Sequence, residues 1–168
     1  NADRRDQIHR FWPETGRLDA LPAILGTRGA WRTGIRSFPS GSEALFAGMK
    51  TGDPDGRSFL SAMELASGRI RRLWDQPILY PGTTSLSVSK DGKQVFIQLR
   101  AEGSYRIVSI PAGGGSPTTV LNLMNISYDS DWGANGDLFL HQVIRPMEVI
   151  RFPPAGGRPE LLASIPAV

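Results

Sequence analysis

Two histidines, one dense acidic group and several serines are the side chains of this sequence best equipped for chemistry. A histidine acts as a general base or a metal ligand only beside a partner group. His9 and His141 have no second histidine or paired carboxylate close by in the chain, so each reads as a polar strand residue. Asp129, Asp131, Asn135 and Asp137 put oxygen ligands at alternate positions, a pattern that can hold Ca²⁺. The spacing departs from the EF-hand loop, in which Asn-Gly would come two residues sooner and a glutamate would follow. Asn135-Gly136 is also fully explained as a turn. Ser58, Ser61, Ser85, Ser87 and Ser89 supply hydroxyls, but no Gly-x-Ser-x-Gly elbow occurs to activate one. Neither a Walker A sequence nor Gly-x-Gly-x-x-Gly is present, and Gly113-Gly114-Gly115 has a near copy at Gly156-Gly157 that marks it as a repeated turn. No catalytic residue, cofactor-binding residue or metal ligand is therefore assigned, and no hydrolase, lyase or kinase activity is expected of this chain.

The remaining candidates concern binding. Asp53-Pro54-Asp55-Gly56 reads as a solvated Pro-Asp-Gly loop, with ligand contact as the alternative. Trp12, Trp31, Trp74 and Trp132 are the large aromatics. Packing between structural units is their expected use, and an exposed Trp12–Trp74 pair would instead form an interaction surface. The net charge of +3 is unevenly spread: residues 1–74 carry 12 Lys+Arg against 8 Asp+Glu, and residues 75–168 carry 7 against 8. The arginines are scattered, and Arg69, Arg71 and Arg72, their only close group, read as a solvated strand edge. That pattern lacks the basic stripe nucleic acid would need.

The 168 residues suit one domain or slightly more, and 40% hydrophobic content is enough to bury a core. With 19 Gly and 13 Pro, many short strands and tight turns fit far better than a helical bundle. The absence of cysteine excludes disulfides, thiolate metal sites and thiol nucleophiles. No apolar run approaches the ~20 residues of a membrane span, and no signal peptide follows the first charges. Asn1-Ala2 reads as the remnant of an expression tag, and the missing initiator methionine fits a segment cut from a longer gene.

The positioning elements recur along the chain. Leu45-Phe46-Ala47, Val95-Phe96-Ile97 and Leu138-Phe139-Leu140 each follow a turn pair, Ser40-Gly41, Asp91-Gly92 and Asn135-Gly136. Ile110-Pro111-Ala112-Gly113-Gly114 is nearly repeated by Phe152-Pro153-Pro154-Ala155-Gly156-Gly157. Looser copies stand at Leu65-Ala66-Ser67-Gly68-Arg69 and Phe11-Trp12-Pro13-Glu14-Thr15-Gly16-Arg17. In the clearest unit Leu86 and Val88 lead into Asp91-Gly92, and Val95, Ile97 and Leu99 then share one face of the next strand. Ile107 to Ile110 forms a third strand, and Val120 and Leu121 belong to a fourth. Phe59 to Leu65, the best helix candidate, falls where the sister units have strand and is read as strand. Four strands every ~40–50 residues are the signature of a β-propeller blade.

Ser87-Val88-Ser89-Lys90-Asp91-Gly92-Lys93-Gln94-Val95-Phe96-Ile97 resembles the WD40-like repeat of TolB-type propellers, an apolar or aromatic residue, Ser-Pro-Asp-Gly, then an apolar-Phe strand. The copy from Asp131 to Leu140 keeps a tryptophan, Trp132, before its turn, and Ser37-Phe38-Pro39-Ser40-Gly41 keeps the Pro and Gly. The resemblance implies an all-β propeller fold. It also implies a setting in periplasmic proteins, in the outer regions of bacterial kinases and winged-helix regulators, or in the gating domains of prolyl-oligopeptidase-type peptidases.

The expected organisation is a partial blade at 3–30 and whole blades at 31–76, 77–122 and 123–168, about three and a half in all. Propellers close with 4–8 blades, so self-association is expected to cover the open ends. In a propeller, inner strands line a channel, and a channel cation near Asp129 and Asp131 is the one metal alternative that stays open. The expected function is a non-enzymatic binding or sensing module of a larger bacterial protein, extracytoplasmic or periplasmic, recognising a protein or small ligand on a rim or in the channel. A peptidase's gating propeller, or a fragment of a lactonase- or lyase-type propeller, is the alternative.

Overall fold

A computed structural model of the chain describes residues 6–25, 34–50, 57–78, 85–101, 104–123, 127–133, 135–142, 147–151 and 160–165. Those residues form fourteen strands and no helix. The first two are β1 (Asp6–Trp12) and β2 (Arg17–Leu25). They are followed by β3 (Ile35–Ser37), β4 (Glu43–Lys50), β5 (Phe59–Glu64) and β6 (Ile70–Arg72). Then come β7 (Leu86–Val88), β8 (Gln94–Ala101), β9 (Ser104–Pro111) and β10 (Thr118–Leu123). The last four are β11 (Ser127–Trp132), β12 (Leu138–Gln142), β13 (Met147–Arg151) and β14 (Glu160–Ile165). All pairings are antiparallel. The Phe59 segment is a strand, as its place in the repeat requires.

The turns that the sequence repeats are the turns that reverse the chain. Gly41, Gly92 and Gly136 close the β3–β4, β7–β8 and β11–β12 hairpins with φ of 68°, 70° and 90°, a left-handed conformation glycine adopts without steric cost. In each, the glycine N–H donates to the carbonyl three residues back, that of Phe38, Ser89 and Gly133. Gly16 and Gly68 close the β1–β2 and β5–β6 hairpins with φ of 68° and 71°, each N–H donating four residues back, to Trp12 and Glu64. Units of four strands with these paired reversals are propeller blades.

Strands β7 to β10 form one four-stranded sheet. Strands β3 to β6 form another, extended at one edge because β2 pairs with the far half of β4 (Ala23–Lys50 to Leu25–Gly48) beyond the point where β3 leaves it. The described residues of the third unit pair as two hairpins, β11–β12 and β13–β14.

Cores form where one unit's front meets the next unit's back. Leu45 and Ala47 of β4, with Leu60 and Ala62 of β5, pack on Leu86, Val95, Ile97, Val108 and Ile110 of the second unit. From the second unit's front, Phe96, Ile107 and Leu123 pack on Trp132, Leu138 and Leu140 of the third. On the first unit's back, Phe46 and Met63 meet Ile8 and Ala23 of the leading hairpin. The recurrence of Phe46, Phe96 and Phe139 after matching turns predicts equivalent, buried positions for all three, and this register corrects that expectation. Phe96 and Phe139 are equivalent, and both face forward. Their counterpart in the first unit is Leu45, while Phe46 points backward. Phe46 and Phe96 are buried, but Phe139 is 62% exposed, because it lies on the front of the third unit.

Candidate binding surfaces

The first surface is built on the inner strands β3, β7 and β11. Arg36 stands opposite Leu45 and so projects from the front of the first unit. Its guanidinium reaches past β7 to ion-pair with Asp129 on β11. Asp129 Oδ1 also accepts the Ser130 N–H at 3.0 Å. Beneath this pair lies a layer of small hydroxyls. Ser85 Oγ donates to Ser130 Oγ at 2.7 Å, which in turn lies 3.2 Å from Ser87 Oγ, joining the second unit to the third. Gln98 Oε1 accepts the Ser127 N–H at 2.7 Å across the same interface.

On the front of the third unit, Asp129 stands across from His141, and Asp131 across from Phe139. All four side chains are exposed and line an open concavity of about 260 Å³. Asp131 turns back on its own chain, accepting the Trp132 N–H at 2.8 Å. Asn135 and Asp137 form a turn, Asn135 Nδ2 donating to Asp137 Oδ2 at 2.6 Å. Asp129, Asp131, Asn135 and Asp137 thus make separate contacts. The guanidinium of Arg36 occupies Asp129, and no group of three or more potential metal ligands assembles among the described residues.

The second surface was missed by sequence reasoning. On the leading hairpin, Arg10 stands opposite Asp19 and Trp12 opposite Arg17, so these four side chains share one face. The guanidinium carbons of Arg10 and Arg17 lie 4.3 and 4.7 Å from the Trp12 ring centroid, within cation–π range. Arg17 also grips Asp19, with Nε donating to Oδ1 at 3.0 Å and Nη2 donating to Oδ2. That hydrogen bond, with the charges of Arg17 and Arg10, holds the Asp19 carboxyl below the usual carboxylate range. Arg10 Nη1 donates to the Leu65 carbonyl at 2.6 Å, tying the hairpin to the β5–β6 turn. Between hairpin and turn lies a cleft of about 420 Å³. A signal for this face existed: Arg10-x-Trp12 and Arg17-x-Asp19 flank the Gly16 turn at matching distances, which makes them cross-strand neighbours.

Other candidates have structural duties. His9 is exposed on β1 opposite Ala20. Trp132 packs on Phe96 with centroids 4.8 Å apart, and its buried Nε1 has no partner among the described residues. Trp74 packs half-buried against the core between the first two units. Arg71 is no solvated edge residue. It makes a two-pronged bond to Glu43 at 3.0 and 2.8 Å and donates to the Ala112 carbonyl at 2.6 Å, bridging the first and second units. Arg72 lies over the Phe59 ring at 3.7 Å. Trp31 and Asp53-Pro54-Asp55-Gly56 lie outside the described residues.

No protein-family profile and no curated protein sequence matches the chain. Solved structures do. TolB from Acinetobacter baumannii superposes with a TM-score of 0.58 at 17% identity, over 94% of this chain and 38% of its own length. A structure from a study of two prolyl endopeptidases gives 0.57 at 15% identity, over 99% of this chain and 27% of that one. A protein described as a TolB from Agrobacterium tumefaciens gives 0.52 at 16%, over 95% and 61%. The chain therefore spans less than two thirds of each, and the likeness establishes its fold, that of TolB-like propeller blades.

Proposed function

We propose that this TolB-like propeller arc is a non-enzymatic binding or sensing module of a larger bacterial protein, working outside the cytoplasm on a protein or small-ligand partner and not on nucleic acid. The observation that carries this reading is the half-open Arg36–Asp129 ion pair on the inner strands. It sets two complementary charges on the inner strands of the first and third units, where an incoming ligand can exchange hydrogen bonds with either one. A screen of small metabolites and short peptides by NMR tests the reading. Ligands are expected to perturb inner-strand or rim resonances, and Arg36→Ala is expected to weaken those at the inner strands. Turnover of an ester, peptide or lactone that disappears in His141→Ala or Asp131→Asn would overturn it.

A second reading, the gating propeller of a peptidase-type enzyme, is favoured by the likeness to the prolyl endopeptidase structure. It requires an α/β-hydrolase segment in the same gene, and sequencing the flanking reading frame separates the two. In either setting the exposed apolar residues of the leading hairpin and the third unit favour association with further blades or with a second copy.

A further inference from the structure

We propose that the cleft between the β1–β2 hairpin and the β5–β6 turn is a docking site for an acidic peptide segment, whose carboxylate binds Arg10 beside the face of Trp12. This rests on the binding-module reading and gives its rim a partner chemistry.

Four observations lead there. The guanidiniums of Arg10 and Arg17 share one carboxylate, that of Asp19, which Arg17 holds by a two-pronged bond, so the cluster keeps one net positive charge. Among the described residues the acceptor bonded to Arg10 is a neutral carbonyl, that of Leu65, so most of its fork of N–H donors remains open to a ligand. The guanidinium is already oriented, held between that carbonyl and the Trp12 ring, so little side-chain freedom is lost when an acid arrives. Finally, the cleft of about 420 Å³ is lined on the hairpin side by Trp12, Leu21 and Pro22 with Arg17 and Asp19, and on the turn side by Leu65, Ala66 and Ser67, a lining more polar than apolar. A planar cation stacked on an indole, with a few aliphatic side chains beside it, suits an acidic side chain carried on a peptide, whose own stem can pack on the ring, better than a free inorganic anion.

The hairpin is seated firmly enough to hold such a shape. Gly68 packs where an added Cβ would lie 3.0 Å from the Pro22 ring, and Ile8 and Ala23 are buried against Phe46 and Met63. The charge balance of the sequence agrees, because the surplus of basic over acidic residues lies entirely in residues 1–74.

The test uses the whole chain and defined probes. Acetyl-hexaglutamate-amide, acetyl-hexaglutamine-amide and inorganic phosphate are titrated while the Trp12 indole N–H is followed by NMR, with Trp12→Phe assigning the signal. Hexaglutamate is expected to shift that resonance in a saturable, salt-sensitive way, with hexaglutamine and phosphate inert. Arg10→Gln is expected to weaken binding about tenfold, the loss of one charge-assisted hydrogen bond, with Arg10→Lys falling between. Retained melting temperature in both variants separates lost binding from lost fold. Hexaglutamate binding that Arg10→Gln leaves unchanged, or that moves other signals alone, overturns the site while leaving the binding-module reading intact. An equal response to phosphate overturns the peptide assignment, and no response to any probe overturns the proposal outright.

Discussion

The two phenylalanines that share a register position, Phe96 and Phe139, have opposite surroundings, and their energetics should diverge accordingly. Phe96 is buried against Trp132 and Ile107, so Phe96→Ala is expected to cost about 3–5 kcal/mol in urea unfolding. Phe139 is 62% exposed in the single chain, and Phe139→Ala should stay within about 0.5 kcal/mol when unfolding is followed at a dilution that keeps the chain monomeric. Equal losses at the two positions would mean that Phe139 is covered in solution. Glu43 carries the clearest pH signature. Its carboxyl is held below the usual range, first by the hydrogen bond from Arg71 and then by the charges of Arg71 and Arg69, against an opposing desolvation. A lowered folded-state value means that the stabilisation is complete above the ordinary carboxylate range and disappears as pH falls through the folded-state value. Both side chains are partly exposed, so the effect is worth less than about 1 kcal/mol. Glu43→Gln should reduce the acid-induced loss of stability below about pH 4.5 and leave its high-pH shape unchanged.

At the scale of elements, Gly16 and Gly68 offer a matched comparison. Both sit at left-handed turn positions, so alanine at either should cost about 1–2 kcal/mol. A Cβ at Gly16 meets nothing within 4 Å, whereas at Gly68 it would press on Pro22. Gly68→Ala should therefore destabilise more, and adding Pro22→Ala should recover the difference. An equal cost at the two glycines would mean that the hairpin does not rest on that turn. This turn chemistry was legible from sequence because a left-handed turn selects Gly, Asn or Asp at fixed offsets. Face assignment was less legible. The β11–β12 turn is one residue shorter than its two counterparts, and Phe46 lies one residue further from its glycine than Phe96 does from its own. One residue reverses a strand's faces, so the recurring phenylalanines suggested a common role that register denies. The Arg36–Asp129 and Arg71–Ala112 ties were not legible at all, because they span 93 and 41 residues and depend on how units stack.

For the whole molecule, the leading hairpin and the last unit both carry exposed apolar side chains. Phe11 and Leu18, paired across the leading hairpin, are 60% and 59% exposed, and in the third unit Phe139, Leu161 and Leu162 are exposed too. At ~25 cal/mol per Å², leaving a few hundred Å² of apolar area uncovered forgoes several kcal/mol, a large part of a domain's stability of about 5–15 kcal/mol. The isolated chain is expected to self-associate at micromolar concentration by light scattering. Leu18→Glu or Phe139→Glu should shift it toward monomer. A clean monomer with no binding of a hydrophobe-sensitive dye would mean that these side chains are covered within the chain.

The serine layer joining β7 to β11 also bears on the shape of the arc. Near the axis the second and third units meet through Ser85, Ser87 and Ser130, while away from the axis they meet through Phe96, Trp132 and Leu123. Thin spacers inside and thick ones outside turn each sheet into the side of a wedge. The difference in side-chain volume between those two layers then sets the angle from one unit to the next, and so how tightly the series curls. Bulkier residues at 85, 87 or 130 would splay the inner edges and straighten the curl. On this view, a hydroxyl layer that looks like a detail of hydrogen bonding is the dimension that decides how many blades a closed circle would hold.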